Sequence, residues 1–470
     1  MLFSALGTFP PLLVSHIYSD GAAPAFIKSF LIIFAIGFLL WVMTARSHKE
    51  LGTRDGFLIV TLFWVVLGTA GCLPFVFSHA VQLSFTDAVF EALSGLTTTG
   101  ATVITGLDDL PKSILFYRQQ LQWLGGMGII VLAMALLPML GIGGMQLYRA
   151  ESPGPVKDNK LVPRLAETAK ALWYIYLSLT IVCAAAYWLV GMDPFDAISH
   201  SFTTVAIGGF STHDQSLGYF DSAAIDAVAV IFMFIAGVNF ALHFTAWQRR
   251  TISQYLRDTE FQFYSFILVS LSIVTVLVLY FSATYSTVSE SIVKGVFQVV
   301  SIATTTGFTT ADFNSWPLFL PYLLLYAAII GACAGSTGGG MKVIRILLIF
   351  KQGLREVQRL IHPKAIIPIK LGRNLVPDRV IEAVWGFFAV YVMVFMAMLM
   401  ALLATGLDII TAFSAVGACI NNLGPGLESV SLTYGYLPAT AKWILCFAML
   451  LGRLEVFTLL VLFTPMFWKR

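Results

Sequence analysis

A chain of 470 residues that is 58% hydrophobic and only 11% charged has too little polar surface for a soluble domain, so it reads as an integral membrane protein. The formal net charge of +3 adds nothing to that reading, and no nucleic-acid partner is expected. Apolar runs of about 20 residues, enough to cross a bilayer, fall near 2–18, 25–45, 57–77, 119–141, 170–190, 224–247, 262–282, 318–333, 380–404 and 441–467. They lack the Val/Thr alternation of a transmembrane barrel, so the expected fold class is an all-α polytopic membrane protein with ten spans. The first run has no basic leader and no small-residue cleavage site. Pro10 and Pro11 interrupt it, and it reads as a retained anchor. Cys72, Cys183, Cys333, Cys419 and Cys446 are scattered through apolar segments with neither disulfide nor metal spacing, and read as packing residues.

Basic loops are retained on the cytoplasmic side. The stretches Arg46 to Arg54, Arg149 to Lys170, Arg249 to Arg257, Lys351 to Arg379 and Lys469-Arg470 hold 20 of the 28 basic residues and follow every second span, so both termini are expected in the cytoplasm. The opposite loops carry Asp87, Glu91, Asp108, Asp109, Asp193, Asp196, Asp214, Asp221, Glu290, Asp312, Asp408 and Glu428, an outer surface suited to a cation.

Four of those outer connections share one pattern. In chain order they contain SGLTTTGAT at 94–102, SFTTVAIGGFST at 201–212, SIATTTGFTT at 301–310 and ACINNLGPG at 418–426, with Gly100, Gly209, Gly307 and Gly424 spaced by 109, 98 and 117 residues. Upstream of each glycine lies an apolar segment of about three helical turns, with Asp87, Asp196, Lys294 and Thr411 thirteen residues before it. Such a segment is too short to span, and reads as a re-entrant helix that returns as extended chain. Non-helical backbone at that depth needs surrounding protein or lining water. Four loops around one axis meet that need and let carbonyl oxygens replace a cation's hydration shell. Glycine permits the backbone angles this requires, and threonine hydroxyls hold neighbouring backbone groups.

The segments SGLTTTGAT at 94, QWLGGMGI at 122, QLYRAE at 146, VAIGGFST at 205, ATTTGFTT at 303, GACAGSTGGGMKVIR at 331, NNLGPGL at 421 and GRLEVF at 452 resemble the Trk/Ktr/HKT superfamily of potassium transporters, and within it the bacterial TrkH-type family, along the whole chain. The resemblance implies two N-terminal helices over 1–50 and four membrane-pore-membrane repeats over 51–150, 151–257, 258–372 and 373–470. It implies a potassium-binding filter made of Thr98, Thr99, Gly100, Ile207, Gly208, Gly209, Thr305, Thr306, Gly307, Asn422, Leu423 and Gly424, with potassium as the transported ion and no cofactor in the chain. It also implies a homodimer in the bacterial inner membrane and a cytosolic nucleotide-binding regulatory ring of the TrkA type. In this family a glycine in every filter goes with potassium and a serine in the first with sodium, so Gly100 places the chain on the potassium side. The fourth loop departs from the pattern, having no threonine and a proline after Gly424.

The apolar block 318–352 exceeds one span and is interrupted by GSTGGG at 335–340, which cannot form a stable helix interior. A span broken at mid-membrane is expected, and the matching family segment is an intramembrane gating loop of Gly335, Ser336, Thr337, Gly338, Gly339 and Gly340. Arg453, near the middle of the last span, needs a partner there. Glu455 lies on another helix face, so the carbonyls or hydroxyls of that loop are its expected partners, a role the family also assigns. Lys342 and Arg345 are expected at the cytoplasmic exit or facing inner water. His200, His213 and His243 have no ligand spacing, and His243 with Asn239 reads as a buried i, i+4 polar pair. No nucleotide-binding or nucleophile motif and no polar catalytic cluster is visible, so an enzyme is not expected. The favoured function is potassium uptake through a channel-like pore gated from the cytoplasm. The alternative is an ion-coupled alternating-access carrier, which calls for broken helices in corresponding halves where one clear break is visible.

Overall fold

The computed structural model describes residues 5–45, 53–131, 161–317, 319–372 and 374–468. The distal part of the expected span at 119–141, the motif at 146, most of the basic loop from Arg149, and Lys469-Arg470 lie outside these residues. Helix α1 is Phe9–Tyr18, with Pro10 and Pro11 in its first turn. Helical residues Ala5 and Leu6 precede α1 across a turn at Gly7-Thr8, and a proline in a first turn loses no hydrogen bond, so the pair marks an interruption of the run and opens its second segment. The ten residues of α1 extend about 15 Å, half of a hydrocarbon core; residues 2–4 of the expected run 2–18 lie outside the described residues. Helices α2 (Ala23–Thr44), α3 (Thr53–Ala70) and the short α4 (Leu73–Phe77) follow.

From α3 onward a long helix, a short helix and a second helix follow one another four times. The first set is α3, α5 (Phe85–Leu96) and α6 (Lys112–Val131), and the second is α7 (Leu161–Leu189), α8 (Pro194–Ala206) and the pair α9 (Ala223–Ala236) and α10 (Phe240–Arg249). After α11 (Ser253–Arg257), the third set is α12 (Thr259–Phe281), α13 (Val288–Ala303) and the pair α14 (Leu320–Ile330) and α15 (Val343–Ile361). The fourth is α16 (Asp378–Leu403), α17 (Ile409–Ile420) and the pair α18 (Ala439–Arg453) and α19 (Phe457–Leu460), with α20 (Pro465–Trp468) at the end. Strands β1 (Lys370–Leu371) and β2 (Asn374–Leu375) form a small antiparallel ladder between α15 and α16.

Capping sets where the short helices begin. Ser84 accepts from the Asp87 N–H, Asp193 from Phe195, Thr287 from Glu290 and Asp408 from Thr411. An acceptor at the N-cap satisfies backbone donors that the helix leaves free. Asp87, Asp196 and Thr411 therefore sit one turn inside their helices, and Lys294 lies two turns inside α13.

Each short helix packs against both helices of its own set and against the second helix of the preceding set: α8 on α6, α13 on α9, α17 on α14 and α5 on α18. The pattern closes on itself. Two ion pairs tie the same neighbours, Lys442 to Asp87 at 2.6 Å and Lys294 to Asp226 at 3.7 Å. Burial follows the arrangement, because α5, α8, α13 and α17 are almost wholly enclosed after their first turn. The five long apolar helices bury only 22–44% of their apolar windows, which leaves side chains such as Leu31, Phe63, Phe266 and Met393 facing outward. A helix apolar all round with most of its surface uncovered belongs in lipid.

Among the described residues three second helices are broken, where one break is visible in the sequence. The pair α9 and α10 turns by 90° at residues 237–239, and α18 turns by 109° onto α19 and the turn that follows. The interruption between α14 and α15 covers residues 331–342, twice the length of GSTGGG.

Candidate functional site

The short helices end in loops of one backbone shape. Two residues before each key glycine the chain takes a positive φ, at Thr98 (53°), Ile207 (53°), Thr305 (68°) and Asn422 (53°), and again at Gly100 (82°), Gly209 (78°), Gly307 (88°) and Gly424 (98°). For the β-branched residues this conformation costs about 1–3 kcal/mol each, and such strain collects where a function requires it.

The glycines close a ring. A Cβ on Gly100 would stand 2.2 Å from the Gly208 carbonyl oxygen, one on Gly209 2.0 Å from Thr306 O, one on Gly307 2.1 Å from Leu423 O and one on Gly424 2.6 Å from Thr99 O. Each contact is to the residue preceding the next key glycine, and the fourth returns to the first. Thr98, Thr99, Ile207, Thr305, Thr306, Asn422 and Leu423 are buried around this ring. The hydroxyls of Thr97 and Thr99 are 2.7 Å apart, and those of Thr304 and Thr306 2.8 Å.

Residues 331–342 lie against one side of the ring. The Gly335 carbonyl accepts from Phe240 N–H at 3.0 Å, Ser336 donates to Cys333 O and the Thr337 hydroxyl donates to Val205 O at 3.0 Å. Gly339 N–H donates to the Thr305 hydroxyl at 2.7 Å, and Gly340 N–H to Asn421 O at 3.1 Å. The Gly338 carbonyl accepts from the Lys342 ammonium. Arg453 is buried and donates to Thr337 O at 3.1 Å and Gly125 O at 2.8 Å, with its guanidinium 5.5 Å from the Trp64 ring. Glu455 pairs instead with Arg345 at 2.5 Å, and Arg345 stacks over Phe387. Lys342 and Arg345 therefore do not face inner water. Both are buried, and with Gly338, Asn422 and Arg453 they line a cavity beneath the ring.

On the other side a mouth opens above the four glycines, with Arg118, His213 and Asp214 on its wall. Arg118 is held by Glu91 at 2.8 Å and donates to Ser211 O at 3.0 Å. His213 bridges Asp108 at 2.5 Å and Asp196 at 3.3 Å and stacks on Tyr219 at 3.5 Å. Half-burial pushes its pKa down, but the Asp196 and Asp108 carboxylates outweigh that and hold it above the ordinary histidine value. Asp214 accepts from Gly106 and Leu107 N–H. Several outer carboxylates are thus engaged with protein groups rather than free for a passing ion. His243 bonds Ile235 O across the α9–α10 bend and Tyr255 on α11, while Asn239 accepts from Ala241 N–H; the two meet through the His243 N–H to Asn239 O backbone bond at 3.3 Å and not as a side-chain pair. Among the described residues no three His, Cys, Asp or Glu side chains gather as a metal site.

Sequence reasoning passed over Gln122, Arg118 and Tyr434, which brace the loops, and placed Glu91 among the outer-loop carboxylates, whereas it is fully buried on α5 and holds Arg118. Gln122 stands inside the quoted QWLGGMGI motif, where a polar residue in an apolar span was the available signal. The four N-caps were visible in part as S-x-x-D and T-x-x-E spacings.

The comparisons agree on one relationship. A family model described as TrkH, cation transport protein, matches residues 22–470. The Trk system potassium uptake protein TrkH of Halomonas elongata is 58% identical over 470 residues, covering all of this chain and 97% of that one. The protein of the same description from Escherichia coli (strain K12) is 58% identical over 469 residues, with the same coverage. The crystal structure of the potassium transporter TrkH from Vibrio parahaemolyticus matches with a TM-score of 0.92 at 55% identity, covering 99% of this chain and 96% of that one.

Proposed function

The chain belongs to the TrkH family of cation transport proteins, and on that premise we propose that it takes up potassium through a channel-like pore whose filter is the ring at Gly100, Gly209, Gly307 and Gly424. The carrying observation is the closure of that ring, in which each glycine abuts the carbonyl before the next. The pore lies among four membrane-pore-membrane repeats over 51–150, 151–257, 258–372 and 373–470, after the two helices of 1–50. Carbonyl oxygens of Thr98, Thr99, Ile207, Gly208, Thr305, Thr306, Asn422 and Leu423 take the place of hydration water around the ion, together with those of the four glycines. C-terminal ends of α5, α8, α13 and α17 direct partial negative charge toward the cavity beneath.

Residues 335–340 are the gate. They lie across the inner side of the ring and are held there by Arg453 and Lys342. The gate answers to a cytosolic nucleotide-binding ring of the TrkA type, and the protein works as a homodimer in the inner membrane with both termini in the cytoplasm. The three second helices broken among the described residues favour a second reading, an alternating-access carrier. Flux through proteoliposomes measured for potassium, rubidium, sodium and lithium separates the two. Single-channel currents with potassium and rubidium ahead of sodium and lithium support the pore, whereas slow saturating turnover without such currents overturns it. Arg453→Ala or deletion of 336–339 is expected to raise basal flux several-fold, because a buried bond across about 3 Å then no longer holds the loop. Unchanged or reduced flux makes the segment a hinge.

A further inference from the structure

The second loop differs from the other three immediately before its glycine. Thr99, Thr306 and Leu423 carry side chains there, and the second loop has Gly208. A Gly-Gly step has the greatest backbone freedom of any dipeptide, so the Gly208–Gly209 peptide is the one most easily rotated. Its carbonyl oxygen is nevertheless a member of the ring, the atom that Gly100 abuts.

The space that a side chain on Gly208 would fill is occupied by Gln122. The three heavy atoms nearest to a Cβ built on Gly208 all belong to the Gln122 carboxamide, the first at 2.3 Å. Gln122 is fully buried on α6, donates from Nε2 to the Gly208 carbonyl at 2.6 Å and accepts at Oε1 from the Phe210 N–H at 3.0 Å. These partners fix which end of the amide is nitrogen, because a carbonyl takes only a donor and an N–H only an acceptor. The carboxamide therefore grips the chain on both sides of Gly209, and the Gly208–Gly209 peptide cannot turn over without breaking the bond to Gln122. A carbonyl oxygen has two lone pairs, so the bond from Gln122 leaves one directed at an ion.

We propose that Gln122 is a positioning residue for ion selectivity, clamping the Gly208 carbonyl in the second quarter of the ring in place of the side chain that loop lacks. The inference rests on the pore reading above. Proteoliposomes of the wild-type protein and of Gln122→Glu, Gln122→Met and Gln122→Ala are compared for the potassium-to-sodium permeability ratio, with thermal stability as the check on folding. Glu keeps the volume and the bond from Phe210; as a carboxylate it cannot donate to Gly208 and in its protonated form it can, so its ratio is read across pH. Met removes both bonds. The ratio is expected to fall roughly five- to tenfold, the scale of one lost hydrogen bond. Adding Gly208→Ala to the Gln122→Ala background restores part of it, since the new methyl group restrains the same peptide, whereas Gly208→Ala alone collides with Gln122. A folded Met variant whose ratio stays within about twofold of wild type overturns the proposal, as does a double variant no more selective than Gln122→Ala. A wild-type protein without potassium preference overturns the pore reading instead.

Discussion

The loops after α5 and α13 differ from those after α8 and α17 in where their support comes from. The first and third read TTTG, and each contains a hydroxyl pair of its own, Thr97 with Thr99 and Thr304 with Thr306. The second and fourth have no such pair. Gln122 reaches across from α6 to brace the second, and in the fourth Asn422 donates to the Thr99 hydroxyl and to Met449 O, while Tyr434 donates to Gly424 O at 2.7 Å. The backbone is nevertheless the same in all four, with positive φ at the glycine and two residues before it. Backbone shape and glycine are thus common to the ring, and the side-chain brace is interchangeable in kind and in origin. The absence of threonine in NNLGPG removes an internal brace without removing the loop from the ring.

The largest expected effect comes from attacking what the loops share. Gly307→Ala puts a methyl group 2.1 Å from Leu423 O at a positive φ, and Gly424→Ala does the same against Thr99 O. Each should reduce the potassium-to-sodium permeability ratio by at least about tenfold, given a strain of roughly 1–3 kcal/mol at a positive-φ position. Should Gly424→Ala leave the ratio intact while Gly307→Ala does not, the fourth loop stands outside the filter and the comparison breaks. Next comes the external brace. Asn422→Asp tolerates the left-handed backbone but donates to neither Thr99 nor Met449 as a carboxylate and to only one of them when protonated, and is expected to lower thermal stability by an amount corresponding to about 1–3 kcal/mol, with a several-fold loss in permeability ratio. Thr306→Val removes only one hydroxyl of an internal pair. It should cost about 0.5–1.5 kcal/mol on the same melting measurement, and a loss equal to that of Asn422→Asp would erase the distinction between the two kinds of brace.

The smallest effect concerns the flank of the second loop. The folded-state pKa of His213 lies above its unfolded value because of Asp196 and Asp108. Its contribution to stability is therefore complete below the unfolded pKa, near 6.5, and disappears as pH rises through the folded pKa. Melting temperature should fall modestly over that window in the wild type and less so in His213→Gln. Parallel curves would show that the pair with Asp108 and Asp196 contributes nothing measurable.

Much of the fold was legible because it is local. Hydrophobic runs separated by basic and acidic loops announce membrane helices and their order, and four glycines at near-regular spacing announce four loops. Pro10 and Pro11 follow the turn at Gly7-Thr8 that parts helical Ala5-Leu6 from the helix begun at Phe9, because a proline pair breaks a helix in its interior but is accepted in a first turn. Bends at 237–239 and after Arg453 were not legible. Neither has a glycine-rich run like 335–340, and the first is stabilised by Asn239 and His243 bonds that form only once α10 has turned.

By itself the sequence determined the membrane class, the helical architecture, the position of each loop glycine and the family. These follow from hydropathy and backbone preference, which act over a few residues. Tertiary structure decided which groups meet: Gln122 with Gly208 across 86 residues, Arg453 with Thr337 across 116 and Asn422 with Thr99 across 323. A buried donor must find an acceptor wherever packing brings one within about 3 Å. Neither hydropathy nor spacing carries that information, because the acceptors are mostly backbone carbonyls, which every residue has.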